Sequence, residues 1–138
     1  MPKLLIVDDE EDQEELILQR LREKEFLMEY EFIFARNGLE AINQVKTYPD
    51  IEIALMDIYM PEVDGLTAMQ KCRSLNPVLT TILISAYDDE SNRQAGFANG
   101  AFKFIAKPID FEKLEVILKQ SIQKVKQLKE KKSVNNHP

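Results

Sequence analysis

Five residues able to do chemistry stand directly after short apolar runs: Asp8 and Asp9 after LLIV, Asp57 after IEIALM, Ser85 after TILI and Lys107 after FIA. Carboxylates gathered in one place repel one another, and each one left unpaired or forced to hold a proton carries a desolvation cost. A hard cation with oxygen ligands removes that conflict. A site that keeps several waters suits Mg2+, with Mn2+ as the alternative. A lysine and a hydroxyl arriving at the same place complete an anion site. Carboxylates, a metal ion and a lysine together describe a phosphoryl-transfer centre whose nucleophile is an aspartate.

The elements that must position these residues alternate along nearly the whole chain. Leu4–Val7 is a continuous apolar run, suited to a strand buried on both faces of a parallel sheet. A helical pattern from about Glu11 to Lys24 follows, with Leu18 and Leu21 three apart and Ile17 beside them. Tyr30–Ala35 reads as a second strand, and Leu39, Ile42 and Val45 mark a second helix after the Asn37-Gly38 turn. Ile51–Met56 is a third strand ending at Asp57. Asp64-Gly65 opens a third helix with Leu66, Met69 and Cys72 on one face, and Asn76-Pro77 ends it, since a residue before proline resists helical geometry.

Thr81–Ile84 is a fourth strand stopping at Ser85. Asp88–Ala98 is a polar helix closed by Asn99-Gly100, and Ala101–Ala106 is a fifth strand. Lys107-Pro108 leads into a last helix from Asp110 to about Lys132. Five βα units with short connections predict an open parallel α/β sheet with helices on both faces. Ligands of such sheets bind at the carboxyl ends of the strands, which is where the five residues fall. The last helix is longer than the domain needs. Phe111, Leu114, Leu118, Ser121, Val125 and Leu128 form its seam, which serves either as a core-packing face with a lysine-rich end or as a lead into a dimer partner or further domain. The expected division is a domain over 1–121, with 122–138 an extension of the last helix and a disordered tail.

Composition excludes much else. The 138 residues suit one ordinary domain, with 44% hydrophobic and 30% charged residues, enough for a real core. A net charge of −6 argues against wrapping nucleic acid through the overall field. That charge is uneven: seven of the eight residues from Asp8 to Glu15 are acidic, while six lysines against one glutamate lie between Lys119 and Lys132. The single cysteine, Cys72, rules out an internal disulfide framework and a multi-cysteine zinc site, and reads as a small core residue. The one histidine, His137, lies at the C-terminal end, which disfavours histidine-based chemistry. No apolar run approaches the roughly 20 residues a membrane helix needs, and the first residues lack a signal-peptide pattern. The expected location is the cytoplasm.

Taken in order and at their spacing, LIVDDE, LMDIYMPEVDG, LISAYDD and FIAKP resemble the receiver domains of two-component response regulators, over about Lys3 to Ser121. The resemblance implies a flavodoxin-like doubly wound (βα)5 three-layer sandwich, strands in order 2-1-3-4-5, with the extended C-terminal helix added. It implies that Asp57 accepts a phosphoryl group from a phosphohistidine of a sensor histidine kinase or histidine phosphotransfer protein, or from a small phosphodonor. Asp9 and Asp57 would bind Mg2+ directly together with the backbone carbonyl of Tyr59, and Asp8 would act through water. Lys107 would pair with the phosphoryl oxygens and Ser85 would hydrogen-bond one of them. Pro108 would follow a cis peptide bond, and Phe104 takes the place of the family's switch aromatic.

The sequence also departs from the family. Phe104 has no hydroxyl, so a switch there works by ring position. Phe102, where the family has something small or polar, is either core or an exposed contact on the face of the fourth helix, fifth strand and last helix, through which a homodimer or an output partner would bind. Tyr59 and Tyr87 stand two residues beyond Asp57 and Ser85, at the expected mouth of the site. They offer no carboxylate or amide to orient an attacking water, so slow self-dephosphorylation is expected. A haloacid-dehalogenase-type phosphatase is disfavoured because the general-acid position two residues after the nucleophile is Tyr59. The output stays open between a stand-alone carrier or contact regulator and the receiver part of a longer DNA-binding or enzymatic regulator. No output residues, no direct nucleic-acid binding and no membrane association are read from this stretch.

Overall fold

The computed structural model describes residues 1–58, 64–85 and 90–135, apart from the side chains of 133–135. Its strands are β1 (Lys3–Val7), β2 (Glu31–Ala35), β3 (Ile51–Asp57), β4 (Thr80–Ser85) and β5 (Lys103–Ala106). Its helices are α1 (Glu11–Arg22), α2 (Gly38–Thr47), α3 (Gly65–Leu75), α4 (Glu90–Ala98) and α5 (Phe111–Asn135). The strands are all parallel and ordered β2-β1-β3-β4-β5, the flavodoxin-like arrangement expected. Every residue of β1, β3 and β4 is buried, as their apolar runs required of strands covered on both faces.

Two cores result. Ala41, Ile42 and Val45 of α2 and Ala68, Met69 and Cys72 of α3 pack on one face of the sheet. Ile17 and Leu21 of α1 and Leu114, Leu118 and Val125 of α5 pack on the other. Cys72 is a fully buried core residue, and burial pushes its thiol up to about 11. Asn37 and Asp64 cap α2 and α3, each accepting from the backbone N–H three residues on at 2.8 Å.

Four details differ from the sequence reading, each for a local reason. In α2 the buried set is Ala41, Ile42 and Val45, while Leu39 is half exposed. Steps of three residues fall about 60° short of a full turn, so Leu39 has rotated off the stripe and Ala41 takes its place. In α1 the buried pair is Ile17 and Leu21, four apart. That helix stops at Arg22, because a short 3-10 turn over Glu25–Leu27 drives Leu27 into the core. The last strand starts at Lys103 and not at Ala101. The end of α4 uses the intervening residues: Gly100 (φ +100°) donates to Phe97 O and Ala101 to Gly96 O, and Phe102 N–H already reaches Thr81 O at 2.8 Å. Arg73 of α3 donates to the Asn99 carbonyl at 3.0 Å, placing a cation at the negative end of α4.

Candidate phosphoryl-transfer site

The carboxyl edge of the sheet carries the expected residues, and the ladder explains why they meet. Asp8 follows β1 and its N–H donates to Ala35 O at the end of β2. Asp57 closes β3 in register with Ile84, Ser85 closes β4 in register with Ala106, and Lys107 N–H donates to Ser85 O at 2.6 Å. Parallel strands point their carboxyl ends the same way, and here the pairings Val7↔Met56, Asp57↔Ile84 and Ser85↔Ala106 bring those ends level, so residues far apart in sequence share one edge. Lys107-Pro108 is a cis peptide bond, as expected.

Asp8, Asp9 and Asp57 each offer a carboxylate oxygen, and these oxygens lie within 4.8 Å of one another. Asp9 is exposed, whereas Asp8, Asp57 and Ser85 are 1%, 4% and 0% exposed. Lys107 Nζ donates to Asp57 Oδ2 at 2.9 Å and stands 3.5 Å from Asp8 Oδ2. Asp8 Oδ1 accepts from the Glu10 N–H at 2.9 Å, which fixes that carboxylate at the start of α1. Its other oxygen, Oδ2, is buried without a hydrogen-bond partner among the described residues.

The electrostatics follow from this geometry. Burial, followed by the neighbouring charges of Asp57 and Asp9, holds the Asp8 carboxyl above the usual carboxylate range, despite the Glu10 N–H and the Lys107 charge. Burial works against the Lys107 charge, but its hydrogen bond to Asp57 and the fields of Asp57 and Asp8 outweigh it, so its pKa lies above the ordinary lysine value. Lys107 is therefore a fixed positive charge at neutral pH. An unsatisfied carboxylate oxygen facing two further acids is the donor set a hard divalent cation takes, and Mg2+ fits it. Asp8, Asp9 and Asp57 would hold that ion.

Phe104 lies in β5 in register with Leu83, half-buried against the α2–α3 core. Phe102 belongs to neither core cluster; it is half-buried just before β5, with Lys103 Nζ 5.3 Å from its ring centre. Tyr59, with its carbonyl, and Tyr87 lie outside the described residues.

Gly65 is a site residue that sequence reasoning took only for the opening of a helix. Its N–H donates to Ile58 O at 3.0 Å, and a Cβ there would overlap the Asp57 carbonyl oxygen and stand 2.8 Å from Ile58 Cα. The glycine lets α3 begin in contact with the backbone of the central aspartate. Its signal was the Asp-Gly pair shortly after the strand, which alone does not distinguish a cap from a close approach.

Comparison with known proteins agrees with this geometry. The family described as the response regulator receiver domain matches residues 4–119. The regulatory protein AtoC of Escherichia coli strain K12 is 32% identical over 123 residues, 88% of this chain and 25% of AtoC. The regulatory protein VanR of Enterococcus faecium is 31% identical over 121 residues, 88% of this chain and 49% of VanR. The chain thus spans between a quarter and half the length of these two relatives. Among solved structures, a response regulator receiver domain protein from Clostridium thermocellum superposes with a TM-score of 0.82 at 22% identity, over 93% of this chain and 99% of that one. A CheY-like receiver domain protein from Methanospirillum hungatei JF-1 gives 0.79 at 25% identity, over 92% and 98%.

Proposed function

The chain belongs to the response regulator receiver domain family, and from that premise we propose that Asp57 is the phosphoacceptor of a Mg2+-dependent signalling switch, taking its phosphoryl group from a phosphohistidine on a sensor kinase or phosphotransfer protein. The domain is a phosphoacceptor and not an enzyme in the ordinary sense. The observation that carries the reading is the single edge on which Lys107 bridges Asp57 at 2.9 Å and Asp8 at 3.5 Å while three carboxylates converge.

In the transfer, an Asp57 carboxylate oxygen forms a bond to phosphorus as the bond from phosphorus to the donor's imidazole nitrogen breaks, and the leaving nitrogen takes a proton. A bound Mg2+ would neutralise charge on the transferring phosphoryl oxygens. Asp8 and Asp9 would supply the negative field that retains such an ion. Lys107 keeps its charge and pairs with a phosphoryl oxygen, and the Ser85 hydroxyl donates to another. Intact-mass measurement after incubation with an acyl phosphate and Mg2+ tests this: one phosphoryl adduct per chain is the expected result, and no adduct rejects it.

The added charge gives Lys107, already on Asp57 at 2.9 Å, a phosphoryl oxygen to pair with, draws in Ser85 and repositions Phe104, and the change is read out at the face formed by α4, β5 and α5. Phe102 is part of that contact face, whether the partner is a second copy or an output protein. Phe102→Ser is expected to weaken association measured by sedimentation while leaving adduct formation unchanged; a fall in melting temperature with intact association would assign Phe102 to the core.

Self-dephosphorylation is slow in this proposal, since the positions two beyond Asp57 and Ser85 are both tyrosines. Tyr59→Asn combined with Tyr87→Glu is expected to speed phosphate loss about tenfold or more by supplying groups that orient water. Equal rates would remove both tyrosines from the lifetime control. The site of action is the cytoplasm, next to the kinase's phosphotransfer domain, because the phosphodonor is a phosphohistidine protein; no helix among the described residues is long and apolar enough to cross a membrane.

A further inference from the structure

The edge of the sheet opposite Asp57 holds a buried acid that the phosphoryl site does not use. Glu52 lies within β3, a central strand, and is 8% exposed. Its direction comes from a break in the ladder. The β1–β3 register steps from Lys3↔Ile51 to Leu4↔Ile53, leaving Glu52 as the extra residue of a β-bulge. Strict alternation would put Ile51 on the same face as Ile53. Instead Ile51 packs in the α2–α3 core and Ile53 in the α1–α5 core. The bulge thereby turns the Glu52 carboxylate toward α5. There it accepts from Tyr30 Oη at 3.2 Å and from Lys129 Nζ. Burial and the Glu52 charge both push the Tyr30 hydroxyl above its ordinary range, in keeping with this contact.

The helix that supplies Lys129 outruns the sheet. The 25 residues of α5 extend about 37 Å, whereas the seven of β3 cover about 23 Å. The family match ends at residue 119. Beyond it, Ser121 and Val125 are nevertheless buried, and Ile122 and Leu128 pack against the same core. Lys129 follows directly, and its ion pair is the farthest point along α5 at which a described contact ties the helix to the sheet. A carboxylate taken out of water in a central strand is costly unless paired. Freeing the helix end therefore costs the burial of Val125 and Leu128 and, in addition, strips a buried carboxylate of its cation.

We propose that Glu52 and Lys129 form an intramolecular latch that fastens the C-terminal turns of α5 across the amino edge of the sheet, keeping Val125 and Leu128 on the domain's own core and withholding them from pairing with a second chain. The latched helix continues the domain past the end of the family match. It leaves the domain in one direction, set from the end remote from Asp57. Opening the latch frees the last turns without unfolding the sheet, because Leu114 and Leu118 hold the first half of α5 independently.

Native-state hydrogen exchange on the full chain tests this in three variants. Lys129→Met, which leaves Glu52 unpaired by a cation, is expected to speed exchange of the amides at 122–132 about tenfold. Glu52→Gln, which keeps an acceptor for Tyr30, is expected to give about a threefold rise, and Lys129→Arg less than about twofold. Amides of β1 and β3 should keep their protection in all three. The proposal is overturned if 122–132 exchange alike in Lys129→Met and the unmodified chain, if Lys129→Met and Lys129→Arg behave alike, or if β1 and β3 lose protection in parallel with α5.

Discussion

Replacing Asp57 with Asn is expected to abolish the phosphoryl adduct, to below about one thousandth of the unmodified rate with an acyl phosphate and Mg2+, while the domain stays folded. The size of the effect follows from the chemistry. An amide oxygen is a far weaker nucleophile than a carboxylate, and among the described residues neither neighbouring acid is placed to substitute. Asp8 is 1% exposed with one oxygen fixed by the Glu10 N–H. Asp9 lies on the exposed side of the cluster and lacks the 2.9 Å lysine contact that Asp57 makes. The fold should tolerate the change, because Asn is nearly isosteric and its oxygen still accepts from Lys107. Intact-mass spectrometry gives the adduct and circular dichroism the fold. A full-stoichiometry adduct on the Asn variant would move the acceptor elsewhere and reject the assignment.

The second large effect concerns the metal. Mg2+ at about one hundred times its dissociation constant is expected to stabilise the chain by about 2.7 kcal/mol, or about 5–10 °C in melting temperature for a domain of this size. Asp8→Asn should cancel most of that response. The same substitution should raise stability without the ion by about 1–3 kcal/mol, since it removes a poorly compensated buried charge. Asp8 Oδ2 has no hydrogen-bond partner among the described residues, and burial already disfavours the charged form. Asn keeps the acceptor that the Glu10 N–H needs. Without metal, Asp8 is thus a burden on the fold, retained because the ion requires it. Melting curves of both proteins, with Mg2+ and with chelator at matched ionic strength, give the answer. An Asn variant that melts lower in chelator, or gains as much from Mg2+ as the unmodified chain, would show that Asp8 serves structure and not the ion.

Some of this was legible from residues alone. A buried parallel strand needs a continuous apolar run, and a turn residue must follow it, so Leu4–Val7 before Asp8 and Ile51–Met56 before Asp57 located both strands and their ends. Helix faces were harder. Leu39 and Ala41 are both plausible core residues of α2, and only the packing partner decides which is used: α3 and the sheet accept Ala41 and leave Leu39 half exposed. The start of β5 was placed two residues early because Ala101 and Phe102 suit a strand, yet the end of α4 had already claimed Ala101's backbone donor.

What the sequence by itself determined is the set of strand ends and hence the chemistry. Strand formation is local, parallel topology brings all carboxyl ends to one edge, and Asp8, Asp9, Asp57, Ser85 and Lys107 could then fall nowhere else. What only the tertiary structure decided is where a side chain goes when its direction depends on a neighbour. Gly65 is needed because α3 starts against the Asp57 carbonyl, and Asp8 Oδ2, buried with no hydrogen bond among the described residues, has only the Lys107 charge 3.5 Å away. Glu52 faces α5 because a single extra residue in the β1–β3 ladder reverses its side of the sheet. A strand alternates with a period of two, so one step of register, invisible in composition or spacing, exchanges one face for the other.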